Sequence, residues 1–121
     1  MVLDTNVLID YLRGDERVIE AVRGWFANGT VLLISAITYA EVLAYKAASE
    51  SELNEMRRFL ENFVLIPIDR TMAEEIAAVR REERVKIPDA AIVATARSTA
   101  SPLVTRDKRL YTVRGIQVVA I

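Results

Sequence analysis

Four acidic residues sit where their side chains can act together: Asp4, Glu41, Asp89 and Asp107. Asp4 closes the short apolar start Val2-Leu3, and Asp107 follows the apolar run Leu103-Val104-Thr105 by two residues. Glu41 falls about one and a half turns into a helix leaving Ser35. Its neighbours Ile37, Tyr39, Val42 and Leu43 are apolar enough to make an unpaired charge costly there. Asp89 opens a helix directly after Pro88. Carboxylates gathered in one pocket repel one another and take up protons unless a cation neutralises them. Asp and Glu form a hard, oxygen-only donor set, which selects Mg²⁺ or Mn²⁺ over zinc or copper. Such ions activate a water and stabilise the leaving oxygen of a phosphodiester.

Composition narrows the chemistry from the other side. The 121 residues include no cysteine and no histidine. That excludes disulfides, thiolate metal sites, thiol nucleophiles and imidazole bases. None of the four glycines falls into a dinucleotide or P-loop fingerprint. The net charge is −1, yet residues 1–56 carry −5 and residues 57–121 carry +4. The basic groups are Arg57-Arg58, then Arg80-Arg81 with Arg84 and Lys86, then Arg106, Lys108, Arg109 and Arg114. They read either as solvated helix faces or as a phosphate-tracking rim beside an acidic pocket. Each Asp of the quartet also has a plainer reading as a helix N-cap. Asp69 reads as first-turn decoration, and Asp10 and Asp15 as surface charges.

These acids need a scaffold, and the hydrophobic pattern supplies one. Strands are expected at Val2-Leu3, Val31 to Ile34, Val64 to Ile68, Leu103 to Thr105 and Ile116 to Ile121. Pro67 pushes the third toward an edge. Helices are expected over Thr5 to Leu12, Glu16 to Ala27, Ala36 to about Ala47, Ser49 to Phe63, Thr71 to about Glu83 and Asp89 to Ser98. Ser49 with Glu52, and Thr71 with Glu74, have the spacing of capping boxes. Strands apolar on both faces and alternating with helices indicate a parallel sheet inside a three-layer α/β/α sandwich. Such sheets bind ligands at the carboxyl ends of their strands, where strand order reverses. Asp4 and Asp107 both fall on that edge. A single domain over residues 1–121 is expected at this length. No signal peptide or membrane-length apolar run is visible, so a soluble cytoplasmic protein is expected.

Four segments, in order and at matching spacing, resemble PIN domains, particularly VapC-type toxins of prokaryotic toxin–antitoxin pairs. They are Val2-Leu3-Asp4-Thr5-Asn6-Val7-Leu8-Ile9-Asp10, Ser35-Ala36-Ile37-Thr38-Tyr39-Ala40-Glu41-Val42, Ile87 to Ala96 around Asp89, and Leu103-Val104-Thr105-Arg106-Asp107. The resemblance implies a central parallel sheet in the order 3-2-1-4-5. It implies a Mg²⁺- or Mn²⁺-dependent endoribonuclease acting on single-stranded RNA, with Asp4, Glu41, Asp89 and Asp107 as metal ligands and catalytic acids. Thr5, Asn6 and Thr105 would hold those carboxylates. It also implies a homodimer and a cognate antitoxin. Two alternatives stand beside it. One is a PIN-type domain that binds RNA or a partner without cutting. The other is a receiver-like phosphoacceptor domain, which needs an acceptor Asp where the middle strand here ends in Ser35.

Overall fold

The computed structural model describes residues 1–121. Five short strands form one parallel sheet in the order β3-β2-β1-β4-β5: β1 Val2–Leu3, β2 Leu33–Ser35, β3 Val64–Ile66, β4 Leu103–Thr105 and β5 Val118–Ala120. Helices α1 Thr5–Leu12 and α2 Glu16–Ala27 join β1 to β2, α3 Ala36–Ala44 and α4 Glu50–Leu60 join β2 to β3, and α5 Arg70–Glu83 and α6 Ile87–Ser98 join β3 to β4. Only a 3₁₀ turn, Lys108–Leu110, separates β4 from β5. No helix is long and apolar enough to cross a membrane.

Successive strand residues point to opposite faces, and both faces are apolar. Val2 and Leu103 pack into one core with Met72, Ile76 and Val79 of α5 and with Ile92, Val93, Ala90, Ala91, Ala94 and Ala96 of α6. Leu3, Ile34 and Val104 pack into a second core with α1, α2, Val42 of α3 and Met56 and Leu60 of α4. These are the outer layers of the expected sandwich. Each fully buried Val or Leu contributes about 1.5–3 kcal/mol, so even the two-residue β1, at 0 % exposure, is firmly seated. The register Val2↔Leu33, Val2↔Leu103 and Leu3↔Val104 sets the carboxyl ends of β2, β1 and β4 side by side. The chain runs from β1 to one side of the sheet and later returns to the other, which makes the β1–β4 crevice the switch point.

Several element ends differ from the sequence expectation. Helix α3 stops at Ala44 and α4 at Leu60, and β2 begins at Leu33. The Ser49–Glu52 capping box is present with both reciprocal bonds. The second expected box is absent. Asp69 caps α5, its carboxylate accepting Met72 N–H at 2.8 Å, so Thr71 lies inside the first turn. Proximity in sequence favoured Thr71, but only Asp69 has the extended backbone of an N-cap. At the other end of α5, Arg84 adopts a left-handed conformation (φ 55°), and Arg80 steadies that turn by donating to Val85 O at 3.0 Å. The turn delivers Pro88 and Asp89 to the first turn of α6.

Candidate active site

Asp4 occupies the N-cap position of α1 but makes no capping bond. Its carboxylate faces β4 and accepts the Thr105 hydroxyl at 2.6 Å. The pairing Leu3↔Val104 places the next residues, Asp4 and Thr105, opposite one another. Thr105 Oγ1 also accepts the backbone N–H of Asp107 at 3.0 Å. One buried hydroxyl thus ties the acid after β1 to the acid after β4. Asp4 is 3 % exposed, and burial holds its carboxyl above the ordinary range, opposed by the Thr105 bond and reinforced by the charges of Asp89 and Asp107. Burial wins over a short hydrogen bond because removing a carboxylate from water penalises the charged form more than one donor restores.

Thr5 plays the matching role toward β2. Its hydroxyl is bonded to Glu41 Oε1 at 2.8 Å and to Thr38 Oγ1 at 3.0 Å. A threonine has one proton to give. The carboxylate takes it, and Thr38 supplies the proton of the second bond. Thr38 and Glu41 are three apart on α3 and so share a helix face. A cleft of about 400 Å³ opens at this point, lined by Asp4, Thr5, Asn6, Glu41 and Asp89, with Tyr45 among its larger residues.

Asp107 is not among the residues lining the cleft. It caps the 3₁₀ turn, accepting Arg109 N–H at 2.9 Å. The Arg109 guanidinium folds back onto the same carboxylate, with Nη2 to Oδ2 at 2.6 Å, and holds it below the ordinary carboxylate range. Arg109 Nη2 also stands 3.6 Å from Asp89 Oδ2, an ion pair too long for a hydrogen bond. The structure therefore gathers Asp4, Glu41 and Asp89 around one cleft and connects Asp107 to it through Arg109. No three carboxylates stand close enough together to hold one ion.

Three participants escaped the sequence reading. Arg109 is one of several basic residues in the second half of the chain, and its place two residues after Asp107 is a usable signal. Thr38 was detectable from its i, i+3 relation to Glu41. Tyr45 has no distinguishing local pattern. Two other residues are corrected. Asp10 and Asp15 are not bare surface charges: both accept Arg106 Nη1, at 2.9 and 2.7 Å, and Asp15 also caps α2. Ser35, where a phosphoacceptor Asp would be needed, instead caps α3 by accepting Ile37 N–H at 3.1 Å.

The PIN domain family model matches residues 1–116. Among solved structures, a toxin–antitoxin complex from Klebsiella pneumoniae contains a chain 34 % identical, with a TM-score of 0.84, the match covering 98 % of this chain and 94 % of that one. FitAB bound to an IR36 DNA fragment matches at 25 % identity and a TM-score of 0.81, over 98 % of this chain and 93 % of that one. VapBC2 from Rickettsia felis, bound to a promoter DNA fragment, matches at 17 % identity and a TM-score of 0.83, over 99 % and 97 %, a likeness of fold. No curated protein matches the chain.

Proposed function

The chain belongs to the PIN domain family, and from that premise we propose that it is the VapC-type toxin of a toxin–antitoxin pair, a cytoplasmic Mg²⁺- or Mn²⁺-dependent endoribonuclease cutting single-stranded RNA. The observation that carries the proposal is the under-neutralised acid cluster at the β1–β4 crevice: Asp4, Glu41 and Asp89 around one cleft, with Asp107 reached through Arg109. Burial and the like charges of Asp89 and Asp107 raise the Asp4 carboxyl, and a cation beside it would relieve that cost. The oxygen-only donors fit Mg²⁺ or Mn²⁺. In this reading Asp4 and Asp89 are the principal ligands, with Glu41 and Asp107 joining directly or through water. When bound, the ion supplies the charge that activates a water and stabilises the leaving oxygen.

The chain's own residues perform the rest. Thr105 orients Asp4 and fixes the Asp107 backbone, while Thr5 orients Glu41. Asn6, expected to hold a carboxylate, makes no side-chain hydrogen bond to one and lines the cleft exposed, where its amide would be open to the substrate. RNA phosphates would follow the exposed cluster Arg80, Arg81 and Arg84, whose guanidinium groups have no carboxylate within ion-pair distance and surround a hollow of about 320 Å³. The 34 % identical chain in a toxin–antitoxin complex supports a cognate antitoxin as partner, and a homodimer of the single domain over residues 1–121 belongs to the same reading. The test is cleavage of a single-stranded RNA by the purified chain with Mg²⁺ and then with excess EDTA. Cleavage only with the metal is expected, and undiminished cleavage in EDTA would overturn the proposal.

A further inference from the structure

Arg109 holds carboxylates that the fold does not need it to hold. The backbone N–H of Arg109 alone satisfies the cap at Asp107. Yet the side chain turns back, placing Nε 3.1 Å from both Asp107 oxygens and Nη2 between Asp107 Oδ2 at 2.6 Å and Asp89 Oδ2 at 3.6 Å. One cation thereby spans acids delivered by two separate elements, β4 and α6. The pair is lopsided in solvation. The Arg109 side chain is 69 % exposed, whereas Asp107 and Asp89 are 12 % and 22 % exposed. The acids need a positive neighbour, while the guanidinium can return to water at little cost.

We propose that Arg109 is an internal counter-ion that stands between Asp107 and Asp89 until a divalent ion displaces it, and so sets the metal concentration at which the site fills. The inference rests on reading the cleft as a metal site. Arg109 and a hard cation compete for the same carboxylate oxygens, and only the fraction of molecules with the arginine swung away is competent to bind. Apparent affinity falls in proportion to that fraction. An exposed ion pair is weak enough to open readily, so the arginine tunes the site without closing it. Ordinary strengths for such a pair, together with the loss of one repelling charge near the ion, give a shift of about three- to tenfold. Exposed pairs are also screened by salt, so the tuning fades as ionic strength rises.

The test is Mn²⁺ titration, followed by the electron paramagnetic resonance of the free ion, at low salt and again at about 1 M salt, where the screening length falls to roughly 3 Å. Arg109→Gln is expected to bind Mn²⁺ about three- to tenfold more tightly than the parent chain at low salt, with the gap closing at high salt. Arg109→Lys keeps the charge but not the forked geometry and should fall between. Arg114→Gln, whose guanidinium pairs with Glu83 instead, should match the parent. Equal or weaker binding by Arg109→Gln, with binding still lost in Asp89→Asn, would overturn the counter-ion and leave the metal site standing. Absence of Mn²⁺ binding in every chain would overturn both. Thermal melts in EDTA verify that each variant is folded, and the lysine variant carries the comparison should the glutamine variant unfold.

Discussion

Two arginines three residues apart, Arg106 and Arg109, each gather carboxylates at the end of β4, and they do so on opposite terms. Arg106 is 28 % exposed and holds Asp10 and Asp15, both near 30 % exposed, at 2.9 and 2.7 Å. Asp15 is drawn below the ordinary carboxylate range, first by its hydrogen bond from Arg106 and then by the N–H of Val18 that it caps. Arg109, mostly exposed, leans on Asp107 and Asp89, while the nearly buried Asp4 behind them is pushed up. The first cluster is electrostatically settled and ties α1, α2 and β4 together. In the second, Arg109 settles Asp107 but leaves Asp4 short of positive charge. A carboxylate stabilised by its partners points to architecture, whereas one destabilised by burial and like charge, in a cleft, points to a ligand that brings charge with it.

The sharpest way to break this comparison is to neutralise the second cluster. Asp4→Asn and Asp89→Asn are expected to lower RNA cleavage by more than the roughly 10- to 100-fold that loss of an outer partner costs, measured in Mg²⁺ under single-turnover conditions. Asp4→Asn should at the same time raise the melting temperature in EDTA, because it removes a buried, uncompensated charge while keeping an oxygen for Thr105. A lowered melting temperature would place Asp4 with the settled cluster. Thr105→Val comes next. It removes the hydroxyl shared by Asp4 and Asp107, and a loss of about 10- to 100-fold in Mn²⁺ affinity is expected.

Acidity separates Asp4 from Asp15 by sign. The folded carboxyl of Asp4 lies above its unfolded value, so its contribution favours folding below the ordinary carboxylate range and is lost as pH rises through the folded value. Asp15 is shifted down, so its contribution is present above the ordinary range and is lost as pH falls through its folded value. Mn²⁺ binding should therefore weaken on acidification before the Asp15 contribution is lost, which pH-dependent titrations and melts check together. The smallest effect is expected from Arg106→Gln: a fall of about 2–4 °C in melting temperature, with Mn²⁺ affinity unchanged. A large loss of metal affinity there would erase the distinction between the two arginines.

Much of this was legible in the chain. Apolar runs of strand length between amphipathic helices, apolar on both faces, specify a covered parallel sheet, because only helices on both sides bury both faces. The acids at strand ends and helix starts could be named from position alone, as could the Ser49 cap. Element ends were less accurate. Whether α3 continues past Ala44, or whether Asp69 or Thr71 caps α5, turns on local backbone angles that several sequences satisfy equally. Pairings between distant residues were not legible at all: Arg106 reaches back to Asp10 and Asp15, and Thr105 to Asp4 across 101 positions.

The sequence by itself determined the element order, the sheet's buried character and the identity of the acids, because these follow from hydrophobic periodicity and residue type, which are local properties. The tertiary structure decided which charges meet. Asp4 and Asp10 are six residues apart in the chain and identical in kind, yet Asp10 is paired with Arg106 and Asp4 is buried beside like charges. That outcome depends on strand register and on the angle at which α1 leaves the sheet. Electrostatic energy is set by distance and solvation in space, and neither can be read from separation along the chain.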